Sequence, residues 1–76
     1  MKNLIEFLAR SLVDDPSAVQ VEEERDGDQV VFRLYVADDD MGKVIGKQGR
    51  IANAMRQLLK VAGTRHGART RLEIGD

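Results

Sequence analysis

The amino-acid sequence predicts an α+β fold in which a three-stranded mixed sheet is covered by helices on one face. Three observations carry this expectation. Apolar residues recur at helical spacing over residues 3–13 and again from residue 50 onward. Two stretches of period-two alternation lie between them, joined by Asp26-Gly27. Two predicted helices then separate the second strand from the third, which leaves room for a parallel crossover, whereas the first two strands form an antiparallel hairpin.

Taken in order, Leu4, Ile5, Leu8, Ala9 and Leu12 form the apolar stripe of a first helix, and Asp14-Asp15-Pro16 ends it because proline disfavours helical geometry at the residue before it. Val19 and Val21 then alternate with Gln20, Glu22 and Glu24, as in a strand with one wet face. Arg25-Asp26-Gly27-Asp28 supplies the turn, with Asp-Gly suited to the positive φ values of type I′. The return strand, Gln29 to Ala37, points Val30, Phe32, Leu34 and Val36 to one face and Val31, Arg33 and Tyr35 to the other. Asp38-Asp39-Asp40 reads as a helix cap rather than a magnesium site, since three adjacent carboxylates do not converge on one ion without unusual backbone geometry. It announces a short helix, Met41 to Ile45, closed by Gly46 as a left-handed terminator. Ile51, Ala54, Met55, Leu58, Leu59 and Ala62 mark the longest helix, expected to end at Gly63, and Arg69 to Ile74 forms the last strand.

Composition bounds the function. Seventy-six residues predict one domain spanning residues 1–76, with so small a core that dimerisation would supplement it. A hydrophobic share of 42% and a charged share of 33% suit a globular chain. No apolar run reaches the roughly 18 residues of a membrane span, and the N-terminus lacks the layout of a signal peptide, so a cytoplasmic address is expected. The absence of cysteine agrees with that address and excludes thiolate metal sites. The net charge of −1 conceals a division: residues 1–40 carry four basic and eleven acidic side chains, a net −7, whereas residues 41–76 carry eight basic and two acidic, a net +6. Such a split suggests one face that attracts a polyanion and another that repels it.

The most informative stretch is Val44-Ile45-Gly46-Lys47-Gln48-Gly49-Arg50-Ile51. Two glycines enclose two long polar residues directly before a helix, where unpaired N–H groups and the positive end of the macrodipole attract an anion. A bare G-x-x-G is weak evidence, but the octet between two predicted helices resembles the signature of the KH domain, a family of single-stranded nucleic-acid binders. With the order α-β-β-α-α-β the resemblance is to type II, and at this size to the small bacterial RNA-binding proteins of the KhpA type. It implies single-stranded RNA as partner, a role as an RNA chaperone or post-transcriptional regulator, and a homodimer or a heterodimer with a larger KH-containing, KhpB/Jag-like protein. No cofactor is expected.

The resemblance assigns tasks to residues. Gly46 and Gly49 let the ribose-phosphate chain approach the backbone; Lys47, Gln48 and Arg50 face the phosphates; Ile45 and Ile51 line or support an apolar groove for the bases. Val44 and Met55 fit either the groove or the core. Lys43, Arg56 and Lys60 are candidates for peripheral phosphate contacts, and Arg33 a weaker one on the second strand. His66, alone in a basic loop, reads as a surface residue. With Tyr35, Phe7 and Phe32 as the aromatics, base contacts are expected to be aliphatic or through the backbone.

An enzyme is the first competing reading. The spacing around Gly42-Lys43-Val44-Ile45-Gly46-Lys47 is not that of a Walker loop, Gln48 replaces the hydroxyl that would hold magnesium, and no nucleophile has a base partner. The second is a KH-fold interaction or dimerisation scaffold with weak or no RNA binding, against which the intact glycines and Lys47 weigh.

Overall fold

A computed structural model describes residues 1–75. The elements are α1 (Lys2–Leu12), β1 (Gln20–Asp26), β2 (Gln29–Tyr35), α2 (Met41–Ile45), α3 (Arg50–Arg65) and β3 (Arg69–Gly75), with single 3-10 turns at Pro16–Ala18, Asp38–Asp40 and Lys47–Gly49. This is the predicted order. Among the described residues no helix is long and apolar enough to cross a membrane.

β1 and β2 pair antiparallel, with Val21 opposite Leu34 and Asp26 opposite Gln29. That register leaves Gly27-Asp28 as the two-residue loop, and the positive φ falls on Gly27 (+64°) but not on Asp28. A positive φ at the first central position alone belongs to a type II′ turn rather than the expected type I′. β3 runs parallel to β2 on its other side, with Leu72 beside Phe32. The order β1-β2-β3 makes the sheet mixed and places β1 and β3 on opposite edges. Val30, Phe32 and Leu34 are fully buried beneath the helices. On the open face Arg33 bridges Glu24 at 2.7 Å and Glu73 at 3.1 Å.

The helices cover the other face: α1 packs on β1, α3 on β3, and α2 against α3 and α1. Ile5 and Ala9 from α1, Val44 from α2, and Met55 and Leu59 from α3 close the core against Val21, the three buried β2 residues and Leu72. The amphipathic stripes are rotated or narrower than predicted. Leu12 is exposed on α1, and α3 buries Ala52, Met55, Leu59 and Gly63 while exposing Ala54, Leu58 and Val61. Gly63 does not end α3. The helix continues to Arg65, and the closing bonds run from Ala68 N to Gly63 O (2.8 Å) and from Gly67 N to Thr64 O (3.2 Å), with Gly67 at φ +68°. This is a Schellman closure with Gly67 as its left-handed residue. Gly63 serves close packing instead, for a Cβ there would lie 2.7 Å from Ala68 O and Thr70 Cγ2.

Asp40 also departs from expectation. It is 2% exposed and makes no side-chain cap to α2. Its carboxylate accepts hydrogen bonds from the backbone N–H groups of Asp14 (3.2 Å) and Asp15 (3.1 Å), just beyond the end of α1. The aspartate thus satisfies donors 25 and 26 residues away in sequence rather than those of the helix that follows it.

Candidate nucleic-acid interface

The octet forms one continuous device. α2 ends where Gly46 N donates to Gly42 O at 2.8 Å, and Gly46 then adopts φ 77°, ψ 172°. This conformation has the positive φ of the left-handed region but an extended ψ, and essentially only glycine occupies it. Gln48 (φ 57°, ψ 26°) and Gly49 (φ 76°, ψ 14°) follow in left-handed geometry before α3 begins at Arg50. Three positive-φ residues within four positions fold the chain back on itself and leave Lys47 and Gln48 exposed at the tip. The strain at Gln48, a non-glycine in the left-handed region, is of the kind that concentrates at binding loops.

Electrostatics favour an anion here. No side chain caps the start of α3, so the positive end of a 16-residue helix opens beside the loop. Among the described residues Lys47, Arg50 and Lys60 have no carboxylate within salt-bridge distance. The division of charge along the sequence survives folding in part: β1, with Glu22, Glu23, Glu24 and Asp26, lies on the sheet edge opposite β3, whereas Lys43 and Arg69 pair across the division with Asp14, Asp40 and Asp28.

The structure brings Gly46, Lys47, Gln48, Gly49 and Arg50 into this loop, flanked by Ile45, 38% exposed, and half-buried Ile51. It removes two expected residues from the contact set. Val44 is fully buried in the core, as is Met55, and has no surface to offer. Lys43 turns away from the loop, its ammonium donating to Asp14 and, at 3.4 Å, to Asp40. The hydrogen bond with Asp14 raises the Lys43 pKa above its ordinary value against the opposing effect of burial. Burial alone would raise the Asp40 pKa, but the two backbone amides and Lys43 together hold it below the ordinary carboxylate value. Arg33 is equally committed, on the open sheet face away from the helices.

The sequence allowed the second strand, with Arg33, to border the groove, but β2 is the central strand of the sheet and a different strand supplies the edge beside α3. It is β3. An open groove runs between α3 and β3, lined by Arg56, Lys60, Thr70, Leu72 and Ile74 among others. Arg56 Nη2 donates to Leu72 O at 3.4 Å and Nη1 to Asn53 Oδ1 at 3.1 Å, so the outward backbone of β3 is accessible to a donor. Arg56 lies six residues beyond Arg50, roughly 9 Å along the helix axis, so loop and groove share one helix. The topology held a signal: once a hairpin occupies one side of β2, a parallel strand reached by crossover takes the other side and becomes an edge.

With the fold and loop in place, a family model described as "KhpA/KhpB, KH domain" matches residues 2–74. The chain belongs to the KhpA/KhpB family of KH domains. It is 50% identical over 76 residues to the RNA-binding protein KhpA of Halalkalibacterium halodurans, covering 100% of both chains. It is also 50% identical over 74 residues to the RNA-binding protein KhpA of Clostridium acetobutylicum, covering 97% of this chain and 99% of that one. Among solved structures, Aquifex aeolicus Era superposes with a TM-score of 0.59 over 96% of this chain at 18% identity, a likeness of fold. The superposed part is 28% of that Era chain.

Proposed function

We propose that this protein binds single-stranded RNA through the Gly46–Gly49 loop and the groove between α3 and β3, acting in the bacterial cytoplasm as a small RNA chaperone or post-transcriptional regulator. The observation that carries the reading is the exposed, positive-φ loop at the uncapped start of α3, with Lys47 and Arg50 free of carboxylate partners among the described residues. The backbone would grip phosphates, Lys47 and Arg50 would supply charge, and Ile45, Ile51 and the β3 edge would meet the bases. KhpA relatives carrying the name RNA-binding protein at 50% identity support it.

The test is fluorescence anisotropy with an unstructured RNA across a salt series, comparing wild type with Lys47→Asp plus Gln48→Asp. Asp tolerates left-handed geometry better than most residues, so the double substitution suits position 48 and leaves both glycines intact. Wild-type affinity is expected to fall with salt, by about 0.7 in log-log slope for each phosphate contact, and the variant to lose binding. Equal binding by the two proteins would refute the loop assignment.

The scaffold reading has its own observation, and it is compatible with RNA binding. Ala54, Leu58 and Val61 form an exposed i, i+4, i+7 row on α3, with Leu58 47% and Val61 59% exposed, on a different side from Arg56 and Lys60. This row would support pairing with a second copy or with a larger KH-containing partner of the KhpB/Jag type, and two linked weak RNA sites raise effective affinity. A stable dimer in light scattering together with no measurable RNA binding would favour the scaffold alone.

A further inference from the structure

We propose that Asp40, Lys43 and Asp14 form a clasp that positions the phosphate-binding loop, so that Lys43 governs RNA affinity without touching RNA; the proposal rests on the RNA-binding reading above. α2 has five residues, too few to be stable by helix formation alone. Its position is therefore set by what it is fastened to. Val44 is locked in the core at 0% exposure. The only side-chain hydrogen bonds from α2 to another segment among the described residues come from Lys43, to Asp14, while Asp40 at the start of α2 bonds the Asp14 and Asp15 amides. These bonds tie the two ends of one turn of chain to the segment that leaves α1. Gly46 follows Lys43 by three residues, so a rotation of α2 about its Val44 anchor would move the loop directly.

The same geometry argues against Lys43 as a phosphate ligand. One ammonium facing Asp14 and Asp40 leaves a local net charge of −1, which repels a phosphate. To reach RNA the ammonium would have to leave Asp40, a carboxylate 2% exposed that would then keep two amide donors and no countercharge. The loop is thus held on one side by the clasp and on the other by Ile51, and Lys47 and Arg50 remain free to meet the ligand.

The experiment uses Lys43→Gln, Asp14→Asn and the double variant, at side chains 43% and 83% exposed, with thermal unfolding of each variant recorded to establish that it is folded under the titration conditions. Each is titrated with an unstructured RNA across a salt series, and its free-state amide spectrum is recorded. The expected result is a loss of affinity of about two- to thirtyfold for Lys43→Gln, with the salt slope unchanged. The Asp14→Asn effect should be non-additive with it, and the amide resonances of Gly46–Gly49 should shift in the free protein. A salt slope shallower by about 0.7 would make Lys43 a phosphate ligand and overturn the proposal. Unchanged affinity would overturn it as well. Wild type and the Lys47→Asp, Gln48→Asp variant serve as the control: if wild type fails to bind, or both bind equally, it is the RNA-binding reading that has failed.

Discussion

A Cβ at position 46 would sit 2.9 Å from both the Cβ and the backbone nitrogen of Ile51 and would overlap its Cγ1. Gly46 and Ile51 are therefore packed as one unit, and the first glycine of the loop is required by the fold itself. Gly49 differs, since the nearest atom to a Cβ there is Asn53 Nδ2 at 3.9 Å, and only its left-handed φ restricts it.

Substitution of the two glycines should separate these causes. Gly49→Ala is expected to cost about 1–2 kcal/mol, the ordinary penalty of a left-handed non-glycine residue. Gly46→Ala carries backbone strain and overpacking together, roughly 2–6 kcal/mol, against a total of about 4–11 kcal/mol for a domain of this size. Thermal unfolding measures both. Equal shifts in Tm would contradict the packing argument.

The contrast shows what the sequence could and could not convey. Element order and the faces of Val30, Phe32 and Leu34 follow from local periodicity, because a period of two has one phase once the buried face is known, and the parallel third strand follows from the helical crossover that precedes it. The α3 stripe was less legible: Ala54 and Leu58 fit the apolar spacing as well as Ala52 and Gly63 do, and the helix is rotated by the close approach of β3, which admits nothing larger than glycine at position 63. Within the site, the loop itself was evident from Gly46-Lys47-Gln48-Gly49. The fate of Lys43 was not, because its partners Asp14 and Asp40 lie on separate segments that only the tertiary fold brings together.

The Asp40–Lys43 pair should give stability a flat plateau in pH. The Asp40 pKa lies below its ordinary value of 3.8, so its contribution is complete above that value and is lost as the pH falls through the lowered pKa. Lys43 is raised above 10.5, so its contribution is complete below that value and is lost as the pH rises through the raised pKa. Urea midpoints of wild type and Lys43→Gln should differ by a constant amount from about pH 5 to 9 and converge at both extremes. A difference that grows toward acid would contradict the assignment.

The exposed row on α3 predicts a second measurement. Leu58→Asp with Val61→Asp should leave Tm of the monomer nearly unchanged, since both side chains face solvent, and should convert a dimer to a monomer in light scattering. A variant that remains dimeric would place the pairing surface elsewhere.

The most direct test of the central claim is an amide chemical-shift titration of the wild-type chain with an unstructured RNA. The largest shifts are expected at Gly46–Gly49 and the first turn of α3, with a second group along Leu72–Ile74, and few on β1 with its run of glutamates. Saturable shifts confined to α1 or β1, or none at all, would contradict it.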